Sequence, residues 1–132
     1  LAGQILAPGG VVYLRVPNDF NAFQVAAHNA KGIRQWWIGI PDHINYFDFP
    51  SLEGLLDKVG FQCVHSTTDF PMEFFLLAGD DYVRDSDLGY ECHKKRMSFE
   101  LSLPPEVRRG FYDALASASL GRSVIMIARR KI

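Results

Sequence analysis

The sequence has no apolar run approaching the ~20 residues a helix needs to cross a bilayer. Nor does it open with a basic segment, an apolar stretch and a small-residue cleavage site. A membrane-spanning or exported chain is therefore not expected, and the cytoplasm is the expected compartment. Positive charge is not in excess: 14 Lys and Arg face 15 Asp and Glu, for a formal net charge of −1. That balance gives no broad attraction for phosphate backbones or anionic lipid, so neither nucleic acid nor a membrane is an expected partner. Cysteine is scarce. Cys63 and Cys92 could form one bridge at most, which argues against a disulfide-stapled secreted scaffold and for reduced thiols. The pairs Asp42-His43 and Glu91-Cys92-His93 lack C-x-x-C or H-x-x-x-H spacing, so no metal site is expected. There is no Gly-x-Ser-x-Gly nucleophile elbow, and Cys63 reads as a small buried strand residue.

What is present is an alternation of strand and helix signals in a chain of 132 residues, 48% hydrophobic, long enough for one core. Residues 1–6 read as the end of a helix whose beginning is missing, the expectation for a chain that starts inside an element. Ala7-Pro8-Gly9-Gly10 is turn chemistry. The run Val11-Val12-Tyr13-Leu14-Arg15-Val16 is β-branched and nearly continuously apolar, as in a central strand covered on both faces. Pro17-Asn18-Asp19 ends it. Residues 20–30 predict a helix stopped by Gly32, and residues 33–46 form an aromatic-rich loop. The clearest helix follows: Asp48 caps it, Pro50 lies in its first turn, and Leu52, Leu55, Leu56 and Val59 share one face before Gly60. Residues 61–69 predict a strand. Residues 70–77 fit a short helix or an extended segment, residues 80–89 a loop, and a helix resumes from Cys92. Pro104-Pro105-Glu106 opens another helix, closed by Gly121, and residues 122–130 make a final strand. Three strands are few for this many helices, the pattern of part of a larger α/β fold.

The segment Leu6-Ala7-Pro8-Gly9-Gly10-Val11-Val12-Tyr13-Leu14-Arg15-Val16-Pro17-Asn18 resembles the PGG-strand-Pro-Asn segment at the fifth strand of class I S-adenosylmethionine-dependent methyltransferases. Asp42-His43-Ile44-Asn45-Tyr46-Phe47, Ser51-Leu52, Leu55-Leu56 and Gly60-Phe61 resemble the DHINYF…SL…LL…GF run of a small-molecule branch of that family. Leu120-Gly121-Arg122, with the strand ending Ala128-Arg129, resembles the branch's closing segment. The likeness runs in order along the chain and is carried least by residues 70–109.

The resemblance implies an α/β, partial class I methyltransferase (Rossmann-like) fold, holding strands five, six and seven with flanking helices and a helical insertion. The seventh strand would run antiparallel between the other two. It also implies that residues 1–132 are the C-terminal, substrate-side portion, with the N-terminal cofactor-binding half absent. S-adenosylmethionine is then the cofactor of the complete protein, while its glycine-rich loop, which follows an apolar strand, is not in this chain. Pro8-Gly9-Gly10 precedes its strand. The chain alone is expected to be inactive and to bind the cofactor weakly or not at all.

Family substrates are held by the segment after the fifth strand and the region before the next helix. These are Asn18, Asp19 and Phe20, with Trp36, Trp37 and Tyr46 as aromatic walls. His43 is the candidate proton acceptor, since an ordinary imidazole titrates near ~6.5. Blander roles stand beside these: His43 as a loop support, the aromatics as core, Phe47 as a staple for the following helix, Asn18 and Asp19 as turn formers. Two functions compete. One is methyl transfer to a small-molecule acceptor. The other is a non-catalytic interaction or dimerisation module, a homo-oligomer joined through an exposed sheet edge.

Overall fold

The computed structural model describes residues 2–131. Three strands, β1 (Val11–Pro17), β2 (Phe61–Thr67) and β3 (Ser123–Arg130), form one sheet in the order β1-β3-β2. The last strand in the sequence lies in the middle and is antiparallel to both neighbours, pairing Leu14 with Met126 and Ser66 with Met126 from either side. This is the arrangement expected of strands five, seven and six of the partial Rossmann-like fold. An extra residue at Val64 shifts the β2 register between Cys63 and His65.

One face of the sheet is covered. Val124, Met126 and Ala128 of β3 are buried together with Phe49, Leu52 and Leu56 of helix α3 (Phe49–Lys58), and Val12, Leu14 and Val16 of β1 pack against them. Helix α3 forms where its local signals agree. The Asp48 side chain accepts a hydrogen bond from the Ser51 amide, the Ser51 hydroxyl accepts one from the Asp48 amide, and Pro50 lies in the first turn. Phe47, just before the cap, joins the same cluster as Leu52, as a staple does.

The other face is open in β1. Val11 is 49% and Tyr13 64% exposed, so the expected coverage on both faces is not met among the described residues. An apolar run reports what a strand could bury; burial itself needs a packed neighbour. Among the described residues β1 also lies at an edge, pairing with β3 alone.

At the start of the chain, α1 (Ala2–Ile5) is a single helical turn; Leu1, part of the helix end read from sequence, lies outside the described residues. After β1 comes α2 (Ala22–Lys31), beginning two residues later than the predicted helix because Asn21 is its cap, accepting from the amides of Phe23 and Gln24. Gly32 ends it at φ 62°. Residues 70–77 resolve into a turn and α4 (Glu73–Ala78), which packs on α2. The helix expected from Cys92 begins earlier, as α5 (Ser86–Ser102), because the Asp85 side chain accepts from the amides of Asp87 and Leu88. Asp-rich composition reads as loop, yet here one of those aspartates is an N-cap.

α6 (Pro105–Ser117) packs on β2. It ends before Gly121, which is therefore not its stop signal. Gly121 has φ 100°, and a Cβ there would lie 2.1 Å from Thr68 Oγ1. The glycine is needed where the α6–β3 link passes against the end of β2. Among the described residues no helix is long and apolar enough to cross a membrane.

Candidate functional site

β1 ends at Pro17, and the next two residues turn inward: Asn18 is 1% and Asp19 6% exposed. The Asp19 amide donates to the Phe47 carbonyl at 2.8 Å, tying this turn to the segment that enters α3. Between these two anchors, residues 33–46 fold back over the end of the sheet. A cavity of about 450 Å³ opens there.

Asp19, Trp36, Trp37 and His43 all line it, so four of the seven sequence-predicted site residues meet in one place. Trp37 is buried and stands edge-on to Trp36, with centroids 4.8 Å apart, and edge-on to His28 at 6.3 Å. His28 is itself held by a 2.6 Å contact between Nδ1 and the Ile33 carbonyl. His43 sits on the exposed rim. Its amide donates to the Gly39 carbonyl at 2.7 Å, and a Cβ on Gly39 would come within 3.2 Å of the imidazole Cδ2, so Gly39 leaves room for the ring.

The other three have different surroundings. Asn18 Nδ2 donates to the carbonyls of Ser119 and Gly121 at 3.1 and 3.0 Å, locking the end of β1 to the α6–β3 link. The Tyr46 hydroxyl accepts from the Gly39 amide at 3.2 Å. Phe20 is half exposed with φ 58°, a left-handed conformation unusual for a bulky residue, and its ring meets Trp37 and Tyr46 edge-on at 5.9 and 5.7 Å. None of the three lines the cavity; Phe20 and Tyr46 support its wall from behind.

Besides Pro17 and Gly39, five lining residues were not foreseen: Gln24 of α2, Glu73 of α4, Tyr82, and Arg122 with Ser123 at the start of β3. Glu73 is 3% exposed and its Oε2 has no hydrogen-bond partner among the described residues. Burial pushes its carboxyl above the ordinary range, opposed by its own amide, Arg122 and Gln24. Asp19 moves the same way, raised by burial and held back by the Phe47 amide and His43. The Tyr82 hydroxyl is pushed up by burial and by the Glu73 charge. A signal for Glu73 stood in the sequence: it is the one charge in Phe70-Pro71-Met72-Glu73-Phe74-Phe75-Leu76-Leu77, and a carboxylate inside such a run must either break the burial or be used by it.

The walls thus combine two buried carboxyl groups, a carboxamide, two indoles, a phenol, a guanidinium and a rim imidazole. This is a concave site with few, convergent polar groups, suited to holding a small molecule and taking up a proton. The Pro8-Gly9-Gly10 turn offers no comparable cradle. The Gly10 amide donates to the Ala7 carbonyl at 2.9 Å, so it is closed on its own turn.

Neither a curated protein nor a solved structure matches this chain. A family model described as a methyltransferase domain matches residues 1–66, which spans β1, the cavity-lining loop, α3 and nearly all of β2. With half of its length matched and a sheet order to suit, the chain belongs to the methyltransferase-domain family.

Proposed function

We propose that this chain is the acceptor side of an S-adenosylmethionine-dependent methyltransferase acting on a small molecule, and that the cavity beyond the end of β1 holds the acceptor. The observation that carries this is the convergence of Asp19, Trp36, Trp37 and His43, drawn from separate stretches of sequence, on one cavity. Residues 1–132 then form the C-terminal portion of the domain, and the cofactor-binding half comes from outside this sequence. The open face and free edge of β1 support that division, since both leave apolar surface for a neighbour.

S-adenosylmethionine supplies the methyl group when bound. The residues here do the rest: Trp36 and Trp37 confine the acceptor, Asp19 orients it, and His43 takes its proton at the rim, where water can carry it away. In the full-length enzyme, His43→Ala should lower turnover by about 10²-fold or more, the usual contribution of a general base. Turnover unchanged across the pH range would remove His43 from the reaction.

The free edge of β1 also favours a second reading, a homo-oligomer or interaction module joined through that strand. Sedimentation of wild type against Tyr13→Lys separates the two. A dimer lost on substitution favours the module, and a monomer in both removes it.

A further inference from the structure

Glu73 is the feature that acceptor binding alone leaves unexplained. The residue is 3% exposed, one carboxyl oxygen has no partner among the described residues, and it lines the cavity rather than the core. Gln24 Oε1, on the helix packed against it, is a second buried acceptor without a partner in the same wall. Two vacant acceptors in one cavity call for a ligand rich in N–H donors. Asp19 adds another carboxyl, so an anionic ligand would be repelled by both. Arg122, at the exposed rim, is near enough to favour the charged form of Glu73 but leaves Oε2 unpaired. The wall also carries Trp36, Trp37 and Tyr82, and aromatic ring faces attract cations, most strongly when water is excluded.

We propose that the cavity recognises an ammonium group, held by Glu73 and Gln24 against the Trp36, Trp37 and Tyr82 wall. The molecule it takes is an amine. This rests on the acceptor reading for its place in catalysis: the held ammonium either loses a proton to His43, freeing the nitrogen lone pair that takes the methyl group, or anchors a molecule whose acceptor atom lies elsewhere. The binding claim stands on the cavity itself.

The chain has two tryptophans, and both line this cavity, so intrinsic fluorescence reports on it directly. Benzylamine, cationic at neutral pH, and benzyl alcohol, its neutral counterpart, are titrated into the full chain at low salt. Benzylamine should saturate with a Kd at least about tenfold below that of benzyl alcohol, as expected for a charge-assisted bond plus a desolvated cation–π contact. Glu73→Gln should abolish the preference, bringing the two dissociation constants together. Equal affinities in wild type, no saturation by either probe, or a preference that survives Glu73→Gln would each overturn the proposal; the wild-type comparison does not depend on how the variant folds. Failure here is distinct from failure of the acceptor reading. If His43→Ala leaves turnover intact while benzylamine is still preferred, the cation site stands and the catalytic assignment falls.

Discussion

Replacing Glu73 by Gln should make the protein more stable, and increasingly so as pH rises. The carboxyl is 3% exposed with Oε2 unpaired, and burial holds its folded-state pKa above the ordinary value. A carboxyl raised in this way binds a proton more tightly folded than unfolded. Stability is therefore undiminished below the unfolded pKa and is lost progressively as pH rises from there through the folded pKa. Gln has the same shape and no charge, so it removes that loss. Gln keeps a polar group at that place, so the gain is the cost of the buried charge alone, taken as about 1–3 kcal/mol. At roughly 4 °C per kcal/mol for a chain of this size, the melting temperature should rise by about 4–12 °C on the alkaline side. The assay is thermal denaturation followed by circular dichroism, from pH 4 to pH 9, for wild type and Glu73→Gln in the same buffers. The two curves should meet at the acid end and diverge upward in pH. Parallel curves, or a variant less stable at every pH, would refute the reasoning, because Glu73 would then be paired in solution.

Three further substitutions test other joints. Gly121→Ala forces a Cβ into Thr68 at a position with φ 100°; backbone strain of about 1–3 kcal/mol and overpacking of similar size should together lower stability by about 3–5 kcal/mol, read from urea unfolding. Asn18→Ala removes both side-chain bonds to the α6–β3 link and leaves the Ser119 and Gly121 carbonyls short of a donor, with an expected loss of about 2–3 kcal/mol in the same assay. Asp48→Ala removes the capping box of α3 and should cost about 1 kcal/mol near neutral pH. The Ser51 hydroxyl and amide hold the Asp48 pKa below its ordinary value, so this difference should be full above the unfolded pKa and shrink as pH falls through the folded one.

The parts of the fold legible in sequence were those fixed within a few residues of each other. Asp48, Pro50 and Ser51, with the leucines at helical spacing, specify α3 without outside help. Asp85 was equally local and was obscured only by the acidic residues around it. The strands were legible as apolar segments, and their order followed from resemblance, because pairing between Leu14 and Met126 joins residues that no local signal connects. The glycine at 121 is the opposite case: its identity is plain in the sequence, but the reason for it, Thr68 from another strand's end, is not.

The candidate site divides along the same line. Residues 18–20 and 36–46 could be named in advance because they follow a recognisable strand or precede a recognisable helix. Which of them face one another could not, since Asn18 turns into the α6–β3 link while Asp19, one residue on, turns into the cavity. By itself the sequence determined the local elements, the near-neutral charge and the lone acidic residue in an apolar run. Only the tertiary structure decided that α2 and α4 pack together and bring Gln24 and Glu73 beside the tryptophans. Caps and periodicities act over one or two turns of chain, whereas a cavity is made by side chains whose separation in sequence carries no information about their distance in space.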